Sequence, residues 1–167
     1  MKVVEYLLDL SGIGRGRLCL RWVSAAEGKL FADYVTQFSQ QTRDLGPFFP
    51  EQFKNQLAAI ESAFTSPRLR WLMGMDLHLT ERGNVFKEKL RQEDYQRLLE
   101  QAAEEEYQGA LILDILKPGP LSVRQIAFQT GLPVYTVSLR LGELERRHQA
   151  EFGSYSGTTP LFVTPVA

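Results

Sequence analysis

Few residues in this sequence have the type and spacing to do chemistry. Three glycines, Gly12, Gly14 and Gly16, stand beside Arg15 and Arg17 and could cradle a phosphate. A dinucleotide loop runs from strand to glycines to helix, whereas these glycines lie between a predicted helix and a predicted strand. We read them as a turn with solvated arginines. Met73 and Met75 are soft side chains with no ligand partner nearby, and are read as core packing. His78 beside Asp76 is one histidine and one acid, read as structural or solvated. Glu104, Glu105 and Glu106 form a short acidic run, read as a solvated helix face. The single cysteine, Cys19, excludes an internal disulfide framework and any multi-cysteine metal site within this chain. No Ser/His/Asp set or paired-carboxylate site stands out, so catalytic, cofactor-binding and metal-binding residues are all expected to be absent.

The stretch that positions most is Leu18 to Gly28. Leu18, Leu20 and Trp22 alternate with Cys19, Arg21 and Val23, which predicts a short strand. Ser24 lies three residues before Glu27 and predicts a capping box. Leu30, Phe31, Tyr34, Val35 and Phe38 recur at helical spacing from Lys29 to Leu45, with Gly46 and Pro47 as stop signals. A lone strand leaves its own amides and carbonyls unpaired. Its partner is either the C-terminal hairpin or another polypeptide, and we favour the second. Trp22, Ser24 and Glu27 are the partner-interface candidates.

The remaining chain reads as mostly helical. Apolar periodicity predicts helices over 2–10, 51–65, 68–77, 85–90, 93–106 and 107–116. Ser66-Pro67 is a helix start, and Lys117-Pro118-Gly119-Pro120 is a breaker. Helices over 123–130 and 133–147 flank Gly131, with Ala127 and Val137 at the spacing of a helix-turn-helix. Segments 152–157 and 161–163 supply a hairpin, so residues from about 107 to 165 resemble a winged-helix domain. From Leu111 to Ala167 there are five cations against four acids, with none of the cations in the hairpin. That is a thin footprint for phosphate contacts. Tyr135, Thr136, Ser138 and Arg140 are the candidates for a DNA-reading face, and protein docking is at least as well supported.

The expected fold is therefore mostly α with minor β. It comprises an N-terminal α-β-α fragment of an α/β domain (1–47), a helical connector (48–106) and a C-terminal winged helix (107–167). The formal net charge of −1 gives no global case for nucleic acid or membrane. Glu5 and Asp9 interrupt the N-terminal apolar run, which is not a signal peptide, and no apolar run reaches membrane-spanning length. A cytoplasmic protein is expected.

Residues from about Val3 to Pro47 resemble the C-terminal end of the delta, or iron–sulfur, subunit of methyl-viologen-reducing hydrogenases. The resemblance rests on Tyr6-Leu7-Leu8, Gly12-Ile13 and Arg17-Leu18. It rests most of all on Trp22-Val23-Ser24-Ala25-Ala26-Glu27-Gly28 with Phe31-Ala32, and on Leu45-Gly46-Pro47. The resemblance implies an electron-transfer role beside a heterodisulfide reductase. This chain lacks the family's cysteine-rich half, and Cys19 is expected to be a small buried side chain. The chain is thus expected to be a non-catalytic, accessory or partial subunit of an oxidoreductase complex in anaerobic metabolism. It would carry no cofactor of its own. The iron–sulfur cluster and the flavin would lie in its partners, a cysteine-rich iron–sulfur subunit and a flavin-bearing heterodisulfide-reductase-like subunit. The alternative is a winged-helix DNA-binding regulator.

Overall fold

The computed structural model describes residues 2–165. It is mostly helical with one two-stranded antiparallel sheet, and it divides into two compact units, residues 1–54 and 55–167.

In the first unit, helix α1 spans Lys2–Leu10 and buries Val3 and Leu7. Ser11 Oγ donates to the Leu8 carbonyl at 2.9 Å and closes the helix. Gly12 and Gly14 then take φ of +77° and +84°, a region that favours glycine. A single 3-10 turn, Arg15–Arg17, leads into an extended segment over residues 18–23. The alternation predicted a strand here. The segment is extended at Leu18 (φ −126°, ψ 133°), but it is not part of a sheet. A strand is defined by its neighbour, and among the described residues no backbone bridges to residues 18–23. The C-terminal hairpin pairs only within itself and with Leu121.

Helix α2, Gly28–Asp44, begins one residue earlier than expected, and Gly46 follows it in the left-handed conformation at φ +72°. The capping box is half made. Glu27 Oε2 accepts from the Ser24 amide at 2.9 Å, but the Ser24 hydroxyl accepts from Ala26 and not from the helix. Glu27 itself occupies the cap position without a side-chain bond, because residues 24–27 form a turn of their own closed by Glu27 N to Ser24 O. Phe48 stacks on Phe53 across the 3-10 turn Pro50–Phe53, at 5.4 Å between centroids.

In the second unit, helix α3 covers Lys54–Thr65 and helix α4 Pro67–Gly74. Ser66 caps α4 by accepting from Leu69 N at 3.2 Å, as the Ser-Pro pair predicts. A π-helical turn follows at His78–Arg82. The helix expected over 85–90 is a tight loop, because Asn84 captures the amides that a helix would need. The two helices expected over 93–106 and 107–116 are one. Helix α5 runs unbroken through Gln92–Leu116 and is the axis of the unit. The expected boundary at 106/107 falls inside it, where Glu106 and Tyr107 contain no break signal.

Helix α6, Val123–Thr130, opens with a complete Ser122–Gln125 capping box and closes at Gly131 with φ +72°. Helix α7 covers Val134–Arg146. Strands β1, Glu151–Ser156, and β2, Thr159–Val163, form the antiparallel hairpin, with a bulge at Gly153. A side chain at Gly153 would meet Val163 at 2.9 Å, which is why glycine stands there. Leu121 and Phe162 exchange amide bonds at 3.0 and 2.9 Å and add a short third rung. Ile112, Leu116, Ile126, Val137, Leu141 and Leu144 form the core beneath. Helices α6 and α7 are thus followed directly by the hairpin.

Candidate partner-docking site

The first unit presents its site by holding a stiff turn and leaving the neighbouring segment bare. Arg17 donates through Nη1 to the Gly46 carbonyl and through Nη2 to Leu45, each at 3.2 Å. Its guanidinium also lies over the Phe48 ring, 5.2 Å from the centroid. Gln41 Nε2 donates to Gly16 O at 2.7 Å. Arg15 pairs with Asp9 through both its amide and its guanidinium, and this holds the Asp9 carboxyl below its usual range. Both arginines of the glycine-rich turn are thus structural, Arg17 on the end of α2 and Arg15 on α1. Arg15 is nonetheless solvated, with its side chain 65 % exposed, whereas Arg17 is half-buried.

Beyond this anchor, Leu18, Leu20 and Trp22 are exposed, Trp22 by 89 %. Among the described residues, no backbone group from 19 to 23 pairs with another strand. Arg21 lies over the Tyr34 ring at 5.4 Å, which ties the segment to α2. Helix α2 buries none of its residues, and Phe31 and Val35 of its apolar face stand open. An amphipathic helix normally gains its stability by burying that face. Of the three interface candidates, Trp22 heads this surface, and Ser24 and Glu27 form the turn that joins the extended segment to α2.

Cys19 is exposed, contrary to the expectation of burial, because its segment has no neighbour to cover it. Iron–sulfur clusters of the common types take four cysteine thiolates. One cysteine does not fit such a cluster, and no group of three or more His, Cys, Asp or Glu residues is placed to hold a metal among the described residues. Met73 is also exposed rather than packed, and His78 is exposed, the solvated alternative of its reading.

The four candidates for a DNA face do not share one. Tyr135 and Ser138 are exposed and Thr136 is half-buried. Arg140 turns inward. Its side chain is only 10 % exposed, its Nε donates to Gln108 at 3.0 Å, and it pairs with Glu105 and Glu143. The acidic run is likewise not a solvated face. Arg68 donates to Glu105 at 2.6 Å and lies 3.7 Å from Glu106, which also receives Arg147 at 3.1 Å. Burial alone would push the Glu105 carboxyl up. Hydrogen bonds from Gln101 and Arg68, with the charges of Arg68 and Arg140, outweigh it and hold the group below its usual value. These side chains line a cleft of about 630 Å³ floored by Gly109, Ala110 and Leu113. Sequence reasoning missed this network, although a signal exists: Val137, Arg140, Leu141 and Leu144 fall at i, i+3, i+4 and i+7, the spacing of a buried face. Beside Tyr135, the exposed side chains of α6 and α7 include the apolar Phe128, Val134 and Leu139, together with Arg124 and Arg146.

Comparison with known proteins gives a partial likeness. The chain is 43 % identical over 47 residues to an F420-non-reducing hydrogenase iron-sulfur subunit of Archaeoglobus profundus, covering 28 % of this chain and 34 % of that protein. The chain thus spans about a third of the length of the relative it matches. No family model matches, and no solved structure does.

Proposed function

We propose that this chain is a non-catalytic accessory subunit of an electron-transfer complex of the hydrogenase or heterodisulfide-reductase type. The observation that carries this reading is the bare, pre-anchored segment over residues 18–23 beside an unburied amphipathic helix. The partial likeness to a hydrogenase iron-sulfur subunit supports it. An edge of another sheet satisfies the unpaired backbone of residues 19–23, and Trp22 with the open face of α2 supplies the apolar contact. The partners are a cysteine-rich protein that holds the iron–sulfur cluster and a flavin-bearing subunit, in the cytoplasm. This chain contributes surface and rigidity and no redox centre.

The test is anaerobic affinity purification of the tagged chain from its own cells, with iron assay and identification of the co-eluting proteins. Recovery with a cysteine-rich iron–sulfur protein and a flavoprotein supports the proposal. A well-folded, iron-free monomer whose residues 18–44 already resist hydrogen exchange overturns it.

A further inference from the structure

We propose that the second unit docks on an anionic lipid surface through the loop tip formed by Val85 and Phe86. The two residues are adjacent and are 91 % and 80 % exposed. An exposed apolar pair at a floppy loop would mean little, but this loop is built. Asn84 Oδ1 accepts from Phe86 N at 2.9 Å and Glu88 N at 3.0 Å, and Asn84 N donates to Glu88 O at 3.0 Å. Asn84 Nδ2 ties down the Glu88 carboxylate at 2.7 Å. The ends of the loop are held by Gly83 N to His78 O and Leu90 N to Leu79 O, at 2.8 and 2.9 Å. Gly83 sits at φ +80°, where a Cβ would come within 2.7 Å of Glu88 O, and Lys87 takes φ +63°. Strain and hydrogen bonds together hold two apolar side chains in water.

The charges behind the tip select the occupant. Arg68 and Arg91 are taken up by Glu105 and Asp94, which leaves four cations against three acids from Arg70 to Lys89. Arg70, Arg82, Lys87 and Lys89 are exposed and hold no ion pair among the described residues. Glu88, the acid nearest the tip, is turned onto Asn84. An exposed apolar tip with Lys87 and Lys89 next to it in the chain suits a soft anionic interface, where apolar side chains enter the acyl boundary and ammonium groups stay at headgroup depth. A nucleic acid base would stack on Phe86 and leave the aliphatic Val85 without a contact, whereas an acyl boundary takes both side chains. No described helix is long and apolar enough to cross a membrane, so the contact is peripheral.

The experiment is co-sedimentation of the full chain with phosphatidylcholine vesicles, with or without about 30 % phosphatidylserine. Binding to the anionic vesicles is expected, with little to the neutral ones. The double variant Val85→Ser/Phe86→Ser and the double variant Lys87→Ala/Lys89→Ala should each bind roughly tenfold more weakly. Unchanged thermal melting of both variants shows that the fold is intact, which the exposure of all four side chains leads us to expect. No binding to anionic vesicles overturns the proposal and leaves the tip as an anchor for a protein pocket. Binding that survives Val85→Ser/Phe86→Ser overturns it as well, since attraction without insertion needs no tip.

Discussion

Arg140 gathers Gln108, Glu105 and Glu143 around one guanidinium. Taking it away leaves carboxylates and an amide facing one another at low exposure. Breaking a buried pair by removing one partner costs on the order of 3 kcal/mol. Arg140→Met is therefore expected to lower the urea midpoint of the second unit, while Tyr135→Ala at an exposed position leaves it unchanged. A DNA-reading role for Arg140 would require the reverse, a loss of binding with no loss of stability. Glu105 gives the same network a pH signature. Its carboxyl titrates lower in the folded chain than in the unfolded one, so the stabilisation is fully present above the ordinary glutamate range of about 4.3. It is lost as the pH falls through the folded value. Glu105→Gln should flatten the acid limb of stability against pH, read by denaturant midpoints from neutral to acid. Tyr107 is different in kind: burial alone pushes its hydroxyl up to about 12, and it stays neutral throughout this window.

At the scale of elements, the loop over 83–90 is the sharpest case. Gly83→Ala puts a methyl into the Glu88 carbonyl at a positive φ and is expected to open the loop. Strain of about 1–3 kcal/mol should appear as faster hydrogen exchange over residues 83–90, with α5 still protected. Exchange that stays slow would show that Asn84 alone holds the turn. The sequence predicts a helix over 85–90, where Phe86 and Leu90 stand four apart. The apolar period is real, but the competing bonds of the Asn84 side chain decide the conformation, and periodicity does not register them. Where the local signals are caps and breakers, the sequence is a good guide: Ser66-Pro67, Ser122 with Gln125, Gly131 and Pro118-Gly119-Pro120 all stand where elements start or stop. The strand over 18–23 is only half legible. Alternation predicts an extended chain, yet whether that chain becomes a strand depends on a neighbour that a single sequence does not name. The Arg140 cluster is legible only in part: the spacing of Val137, Arg140, Leu141 and Leu144 puts Arg140 on a buried face, but its acids are identified only when α5 is placed across from it.

Across the whole molecule, the buried apolar side chains are unevenly shared. Among the described residues, Val3 and Leu7 are the buried apolar side chains of the first unit, whereas the second unit has a continuous core around α5. Burying a large apolar side chain is worth roughly 1.5–3 kcal/mol, and two of them do not offset the backbone entropy of some fifty ordered residues. The first unit is therefore expected to open at much lower denaturant than the second, giving two transitions by far-ultraviolet dichroism and early proteolysis within residues 18–27. The same shortage makes it responsive to whatever covers it. A partner that pairs with residues 19–23 and covers Trp22 and the face of α2 adds the missing burial and should merge the two transitions or draw them together. Trp22→Ala should leave the transitions of the isolated chain unchanged, since the ring contacts little there, and should weaken the complex. A fall in the stability of the free chain would place Trp22 in its own core instead. A unit that reaches full stability only against its partner couples folding to assembly, so the electron-transfer role proposed for this chain is exercised only when the complex is complete.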